Sequence, residues 1–286
     1  MRLETLSSVK QPLQTASLPL VHSSAWLAAI SLCRRELVRF LRQRNRIVGA
    51  LATPVVFWLL IGGGMGRSLH LDVPGMHGES YIRFFFPGTL VMILLFTAIF
   101  STISVIEDRR EGFLQSVLVA PVSRSAIVLG KVLGGTVLAT GQGLLFLLLA
   151  PLVGFHFTVP SFLLAIVLMS IVSFALTSLG FCIAWSMNSS QGFHAIMNLF
   201  LMPMWFLSGA LFPAQGAWWG LRWIMGINPL TYGLAGLRQT MSLGNRGPVL
   251  AGPGLLINIG ISCAFALGLY LLAWRVAQRQ TAADLQ

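Results

Sequence analysis

Six stretches of mostly apolar residues, at about 47–65, 84–106, 126–149, 162–185, 193–212 and 255–274, constrain this chain more than any other feature. A helix needs about 20 such residues to cross the hydrocarbon core of a bilayer. Charges or turn residues bound most of the stretches: Arg46, Arg67, Arg83, Glu107, Pro151, Pro160, Asn188, Pro213, Pro253 and Arg275. Only the polar run 186–192 separates the fourth from the fifth, which requires a tight turn there. Charged residues make up 9% of the chain and hydrophobic ones 56%, whereas soluble domains carry roughly 25% charged residues. A water-facing shell cannot be built from this composition. The expected fold is an all-α integral membrane protein with six transmembrane helices, forming one membrane domain over 26–275 between tails at 1–25 and 276–286.

The net charge of +11 is first a statement about topology. Arg2, Lys10, Arg34, Arg35, Arg39, Arg42, Arg44 and Arg46 precede the first stretch. Arg109, Arg110, Arg124 and Lys131 fall around the connection after the second, and Arg275 and Arg279 follow the last. That side holds 14 Lys and Arg; the other holds five, Arg67, Arg83, Arg222, Arg238 and Arg246. The positive-inside rule puts the richer side, with both termini, in the cytoplasm, facing anionic lipid headgroups. The basic excess therefore needs no nucleic acid partner.

Residues 18–33 do not read as a signal peptide, because Pro19, His22, Ser23 and Ser24 interrupt them and the arginines follow rather than precede. Residues 26–46 read as an amphipathic helix. At about 100° per residue, Trp26, Ile30, Cys33, Leu37 and Phe40 share one face, and Arg35, Arg39, Arg42 and Arg46 share the other. Such a helix is expected to lie in the membrane interface, apolar side down; a plain basic anchor is the alternative. Residues 1–20 are expected to be disordered.

The connection 107–125 opens with Glu107, Asp108, Arg109, Arg110, Glu111 and Gly112. Phe113, Leu114, Val117 and Leu118 then recur at helical spacing until Pro121 ends the run. This predicts a short amphipathic helix whose apolar stripe needs cover from the membrane or another protein. On the other side, 213–254 carries Trp218, Trp219 and Trp223, then Asn228, Pro229, Leu230, Thr231 and Tyr232. Residues 229–242 are too short to cross and apolar enough to dip into the membrane, which predicts a re-entrant hairpin between the fifth and sixth spans.

Several chemistries are missing. No Asp, Glu, Lys or Arg stands in the middle of a stretch, so the groups that ion-coupled pumps use are absent. Gln142, Asn198 and Asn258 are the polar residues at depth, read as interhelical hydrogen-bonding groups. The sequence has no zinc-binding His-Glu-x-x-His pair, no Gly-x-Ser-Gly nucleophile and no phosphate-binding Gly-x-x-x-x-Gly-Lys-Ser/Thr loop; Gly130-Lys131 is the nearest approach. Cys33, Cys182 and Cys263 lie far apart and read as small apolar residues. The chain is thus not expected to be an enzyme or to hold a nucleotide, metal or other cofactor. Two Gly-x-x-x-Gly matches, Gly62–Gly66 and Gly130–Gly134, permit close helix packing or dimerisation. Trp58, Phe96, Phe100, Phe200, Trp205 and Phe206 are candidates to line a route for a lipophilic molecule, or else pack between helices and against lipid.

Over residues 26–275 these parts resemble the type-2 ABC-transporter permeases, especially the short bacterial exporters of drugs, nodulation factors and polysaccharides. The resemblance rests on the order of basic helix and six spans. It rests also on Glu107-Asp-Arg-Arg-Glu111-Gly112 leading to Leu114, Leu118, Ala120-Pro121 and Gly130-Lys131. The third element is Leu207-Ser208-Gly209 leading to Asn228-Pro229-Leu230-Thr231-Tyr232 and Leu237-Arg238. Phe113 and Gln115 depart from the family's usual Thr and acidic residue.

The resemblance implies an exporter subunit in the bacterial inner membrane, paired with a second permease copy and two separate ATPase subunits. It implies that Glu107, Arg109, Arg110, Glu111, Gly112, Leu114, Leu118 and Pro121 form the helix that couples to the ATPase. The helix carrying Arg35, Arg39, Arg42 and Arg46 would be its connecting neighbour, and Asn228, Pro229, Tyr232 and Arg238 would belong to the external re-entrant element. An ATP-independent facilitator or channel is the alternative function, and the transported substrate is not legible.

Overall fold

The computed structural model of the protein describes residues 25–65, 81–119, 122–212, 218–243 and 253–283, with backbone only at 44–46, 65 and 280–283. Residues 1–24, Gly66, Pro121 and Pro213 lie outside the described residues. The described chain is helical throughout: α1 (Ala25–Arg42), α2 (Arg44–Met65), α3 (Tyr81–Ser101), α4 (Ile103–Arg110), α5 (Phe113–Val119), α6 (Arg124–Leu147), α7 (Val159–Trp185), α8 (Ser190–Phe206), α9 (Trp219–Ile227), α10 (Pro229–Ser242) and α11 (Leu255–Ala283), with one 3₁₀ turn at Ala150–Val153.

Among the described residues, five helices are long and apolar enough to cross a membrane: Ile47–Gly64, the rod Tyr81–Arg110, Arg124–Leu147, Val159–Trp185 and Leu255–Arg279. The expected fifth span, α8, has 17 residues and a length of about 26 Å, short of the roughly 30 Å hydrocarbon core. It ends at Phe206 rather than Phe212. Pro203 sits in its last turn, and Gly209 takes φ +85°, a left-handed conformation that turns the chain away.

Chain punctuation follows local chemistry. Ser123 caps α6, and Thr158 with Ser161 forms a reciprocal capping box at the start of α7. Thr102 breaks the α3–α4 rod: its amide and hydroxyl both bond the Ile99 carbonyl, at 3.0 and 2.6 Å. The rod nevertheless runs on to Arg110, so Glu107–Arg110 extend a span rather than open a loop. The last helix likewise runs past the expected end at Trp274 to Ala283.

α3 is the central element, buried along most of its length. Phe86 stacks on Phe146 of α6 with centroids 4.5 Å apart, and Trp58 of α2 meets both rings edge-on. Trp205 of α8 is fully buried and donates to the Gly88 carbonyl at 2.8 Å. Trp58 and Trp205 thus serve packing, whereas Phe200 and Phe206 point outward.

The Gly130–Gly134 pair serves a contact within the chain. A Cβ at Gly130 would lie 2.7 Å from the Ala29 carbonyl oxygen, and one at Gly134 would lie 2.9 Å from Glu36 Cβ. The missing side chains let α1 lie directly on α6, which places the functional residues of both.

Candidate coupling site

The first helix buries Ala29, Leu32, Glu36 and Phe40, a stripe at three- and four-residue spacing. The expected apolar face is therefore only partly the packed one: Trp26 and Ile30 are exposed, and Cys33 and Leu37 are half-buried. The reason is Glu36. It turns inward because α6 supplies a counter-charge, and no helical periodicity reports that. The helix ends at Arg42, and Arg46 falls in the first turn of α2, so the expected single helix over 26–46 is two. Arg42 is exposed, and the Arg46 side chain lies outside the described residues.

Lys131, about two turns into α6, is 6% exposed. Its ammonium donates to Glu36 Oε1 at 2.6 Å, to Ser104 Oγ at 3.3 Å and to Asp108 Oδ2. Those three acceptors use all three of its donors. Asp108 is fully buried. It takes a forked pair of bonds from Arg35, at 2.7 and 2.8 Å, and one from Arg39 at 2.8 Å. The Asp108 carboxylate bonded to it holds the Arg35 guanidinium above its ordinary value, against the opposing effect of burial. Arg39 also reaches Glu107 and Glu111, each at 3.1 Å. Three cations and four carboxylates thereby lock α1, α4 and α6 together.

The structure brings Arg35, Arg39, Glu107 and Glu111 into this lock and sends Arg109 and Arg110 elsewhere. Arg109 donates to the Trp185 carbonyl at 2.6 Å and to Asn188 Oδ1 at 3.0 Å. Arg110 donates twice to the Asn188 carbonyl, at 3.1 and 2.8 Å. These are the oxygens left unpaired where α7 ends and the chain turns into α8.

At Gly112, φ is +74°, which reverses the chain into α5. The apolar stripe of α5 is covered by this chain itself. Leu114 is buried, Val117 and Leu118 are packed against the core, and the Phe113 ring lies 3.6 Å below the Arg35 guanidinium. Leu114 is therefore an anchor of α5, and the outward face of the turn and helix is Glu111, Gln115, Ser116 and Val119.

Sequence reasoning missed Glu36, Ser104, Asp108 and Lys131 as members of the site. A signal was present: an acid inside the apolar pattern of α1 and a lysine one turn inside an apolar span both demand partners.

At the opposite end, Asn228 caps α10 by accepting from the Leu230 amide at 3.0 Å, and it donates to the Met204 carbonyl at 2.6 Å. Pro229 occupies the first turn of α10. Tyr232 donates to the Gly226 carbonyl at 2.8 Å, and Arg238 donates to the Gly209 carbonyl at 2.9 Å while lying over Phe84. The expected hairpin is thus a pair of short helices, α9 and α10, pinned to the end of α8.

The sequence model of the ABC-2 type transporter family matches residues 28–242, from α1 to the end of α10. The chain belongs to this family. Inner membrane transport permease YadH of Escherichia coli strain K12 is 25% identical over 264 residues, 89% of this chain and 96% of YadH. Nodulation protein J of Rhizobium leguminosarum bv. viciae is 26% identical over 236 residues, 82% of this chain and 87% of that protein. Nodulation protein J of Sinorhizobium fredii is 28% identical over the same length. The chain is accordingly a multi-pass membrane subunit of a transport permease rather than an enzyme, and the ABC-2 family in general implies a partner ABC ATPase. In this ABC-2 permease, the charged lock and α5 occupy the end where the basic residues concentrate.

Proposed function

We propose that this permease forms the translocation pathway of an ATP-driven exporter and receives its energy through the end of the molecule that carries α5. The single observation that carries this reading is the lock around Lys131 and Asp108. A push on α5 is carried by Arg35 on Phe113 and by the Gly112 turn into α1, α4 and α6, three elements tied by charge-assisted bonds. Rigid-body movement of those helices would shift the bundle between two states.

In this reading the chain crosses the membrane six times, with α8 as the fifth span and α9–α10 as an external re-entrant pair. Both termini are cytoplasmic, in keeping with the 14 Lys and Arg assigned to that side. The working complex holds two permease copies and two ATPase subunits in the bacterial inner membrane. The chain itself takes no nucleotide, metal or cofactor. Its cargo is a lipophilic drug, a lipid or a lipid-linked saccharide.

The test is copurification of the permease with the soluble ABC ATPase encoded beside it, using Val119→Asp and Glu111→Lys on the outward face. Loss of the ATPase from a permease that stays folded supports the docking face. Full assembly and transport in both variants would overturn it, and sustained pumping by the purified chain alone would establish the ATP-independent alternative.

A further inference from the structure

Between α2, α3 and α8 lies a cavity of about 650 Å³, in the size range of small-molecule sites. Phe40 of α1 and Glu107 of α4 join its lining at the end nearest the charged lock. Phe96, Phe100 and Thr97 of α3 form one wall, and exposed His194 of α8 stands against Phe100 with ring centroids 5.0 Å apart. The two helices that flank the cavity expose apolar side chains on their outer faces, among them Val48, Phe57, Ile196 and Leu199.

The charge of this lining is opposite to that of the chain. The protein carries 19 Lys and Arg against eight Asp and Glu. Among the described residues, the lining includes no Lys or Arg, and its one carboxylate is Glu107. Among the described residues, one arginine is ion-paired with that carboxylate. Its ion-pair partner Arg39, 3.1 Å away, is shared with Asp108 and Glu111. Among the described residues, Arg35, Arg39 and Lys131 are the cations paired with Glu36, Glu107, Asp108 and Glu111. Aromatic faces beside a carboxylate attract an organic cation, by the ring quadrupoles and by direct charge.

We propose that this cavity binds amphiphilic organic cations, with the apolar body against Phe96 and Phe100 and the cationic group turned toward Glu107. The inference rests on the reading of the chain as a transport subunit and narrows its cargo. The same carboxylate belongs to the lock, so an arriving cation competes with Arg39 for Glu107 at the junction that α5 adjoins.

Tetraphenylphosphonium and tetraphenylborate have nearly the same size and apolar surface and carry opposite charge, so they separate charge from lipophilicity. Saturable binding of each is measured on the full-length permease in lipid nanodiscs without ATPase. The expected result is preferential binding of the phosphonium, weakened about tenfold by Glu107→Gln. Gly49→Leu should abolish saturable binding of both ions, because Gly49 lines the cavity and its side-chain direction meets nothing within 4 Å. Equal or tighter binding of the borate by the unmodified protein overturns the proposal, and that comparison requires no variant to fold. A phosphonium preference that survives in Glu107→Gln, or in Gly49→Leu, overturns it as well. Because no ATPase is present, failure here leaves the coupling assignment standing, and full ATPase assembly and transport by Val119→Asp and Glu111→Lys with an intact cation preference sinks only that assignment.

Discussion

Lys131 on α6 and Glu36 on α1 stand 95 positions apart in sequence and 2.6 Å apart in space. Both are almost wholly buried, and neither charge would be tolerated there without the other. Their contact sits on the ridge where Gly130 and Gly134 bring α1 against α6.

Replacing Lys131 with Met should cost about 3–5 kcal/mol, because it removes the buried cation between Glu36 and Asp108 and leaves Glu36 with Arg35 at 3.4 Å. Thermal or denaturant unfolding of the purified permease reads this directly. A loss below about 1 kcal/mol would show the lysine to be dispensable to the lock.

The two faces of α6 should respond oppositely to added bulk. Gly134→Leu drives a side chain into Glu36 and should detach α1, lowering stability by at least about 2 kcal/mol. Gly141→Ala meets open space in the same helix and should be neutral or stabilising by up to about 1 kcal/mol. Equal effects at the two sites would contradict the close approach of α1.

Arg109→Ala should release the end of α7. The variant forfeits charge-assisted bonds to Trp185 and Asn188, a loss of about 1.5–3 kcal/mol. Hydrogen exchange should quicken at residues 186–189 while the α1–α6 contact stays protected. Unchanged exchange there would remove Arg109 from its capping role.

Leu114→Asp and Val119→Asp place the same charge five residues apart, on the buried and the outward side of α5. The first buries an unpaired carboxylate and should destabilise the permease itself, whereas the second enters solvent at a residue 88% exposed and should leave stability within about 0.5 kcal/mol. Matching stability losses would mean that α5 presents a different face outward.

Asn228→Ala removes the cap of α10 and the tie to Met204, and should cost about 1–2 kcal/mol. Asn228→Ser, which retains a capping oxygen, should recover about half of that loss. A fully stable alanine variant would separate the cap from the integrity of the α9–α10 pair.

Much of this molecule is legible one segment at a time. The apolar runs of α2, α3, α6, α7 and α11 announce themselves by length. The family resemblance carried by residues 107–131 and 207–238 was legible in the same local way. The packed face of α1 runs through Glu36, which lies outside the apolar stripe of Trp26, Ile30, Cys33, Leu37 and Phe40. The stripe on α5 looked as though it needed a foreign surface, because the helices that cover it come from distant parts of the chain.

The sequence by itself determined where the chain enters and leaves apolar surroundings, and which end of the bundle concentrates basic charge. Helix length, hydropathy and capping are properties of consecutive residues. Only the tertiary structure decided that Asp108 is the hub of the lock, that Arg109 and Arg110 brace the α7–α8 turn, and that Glu107 lines the cavity at α3. Those outcomes depend on which charges meet after packing, and the stability of a buried charge is set by partners that may stand nearly a hundred residues away.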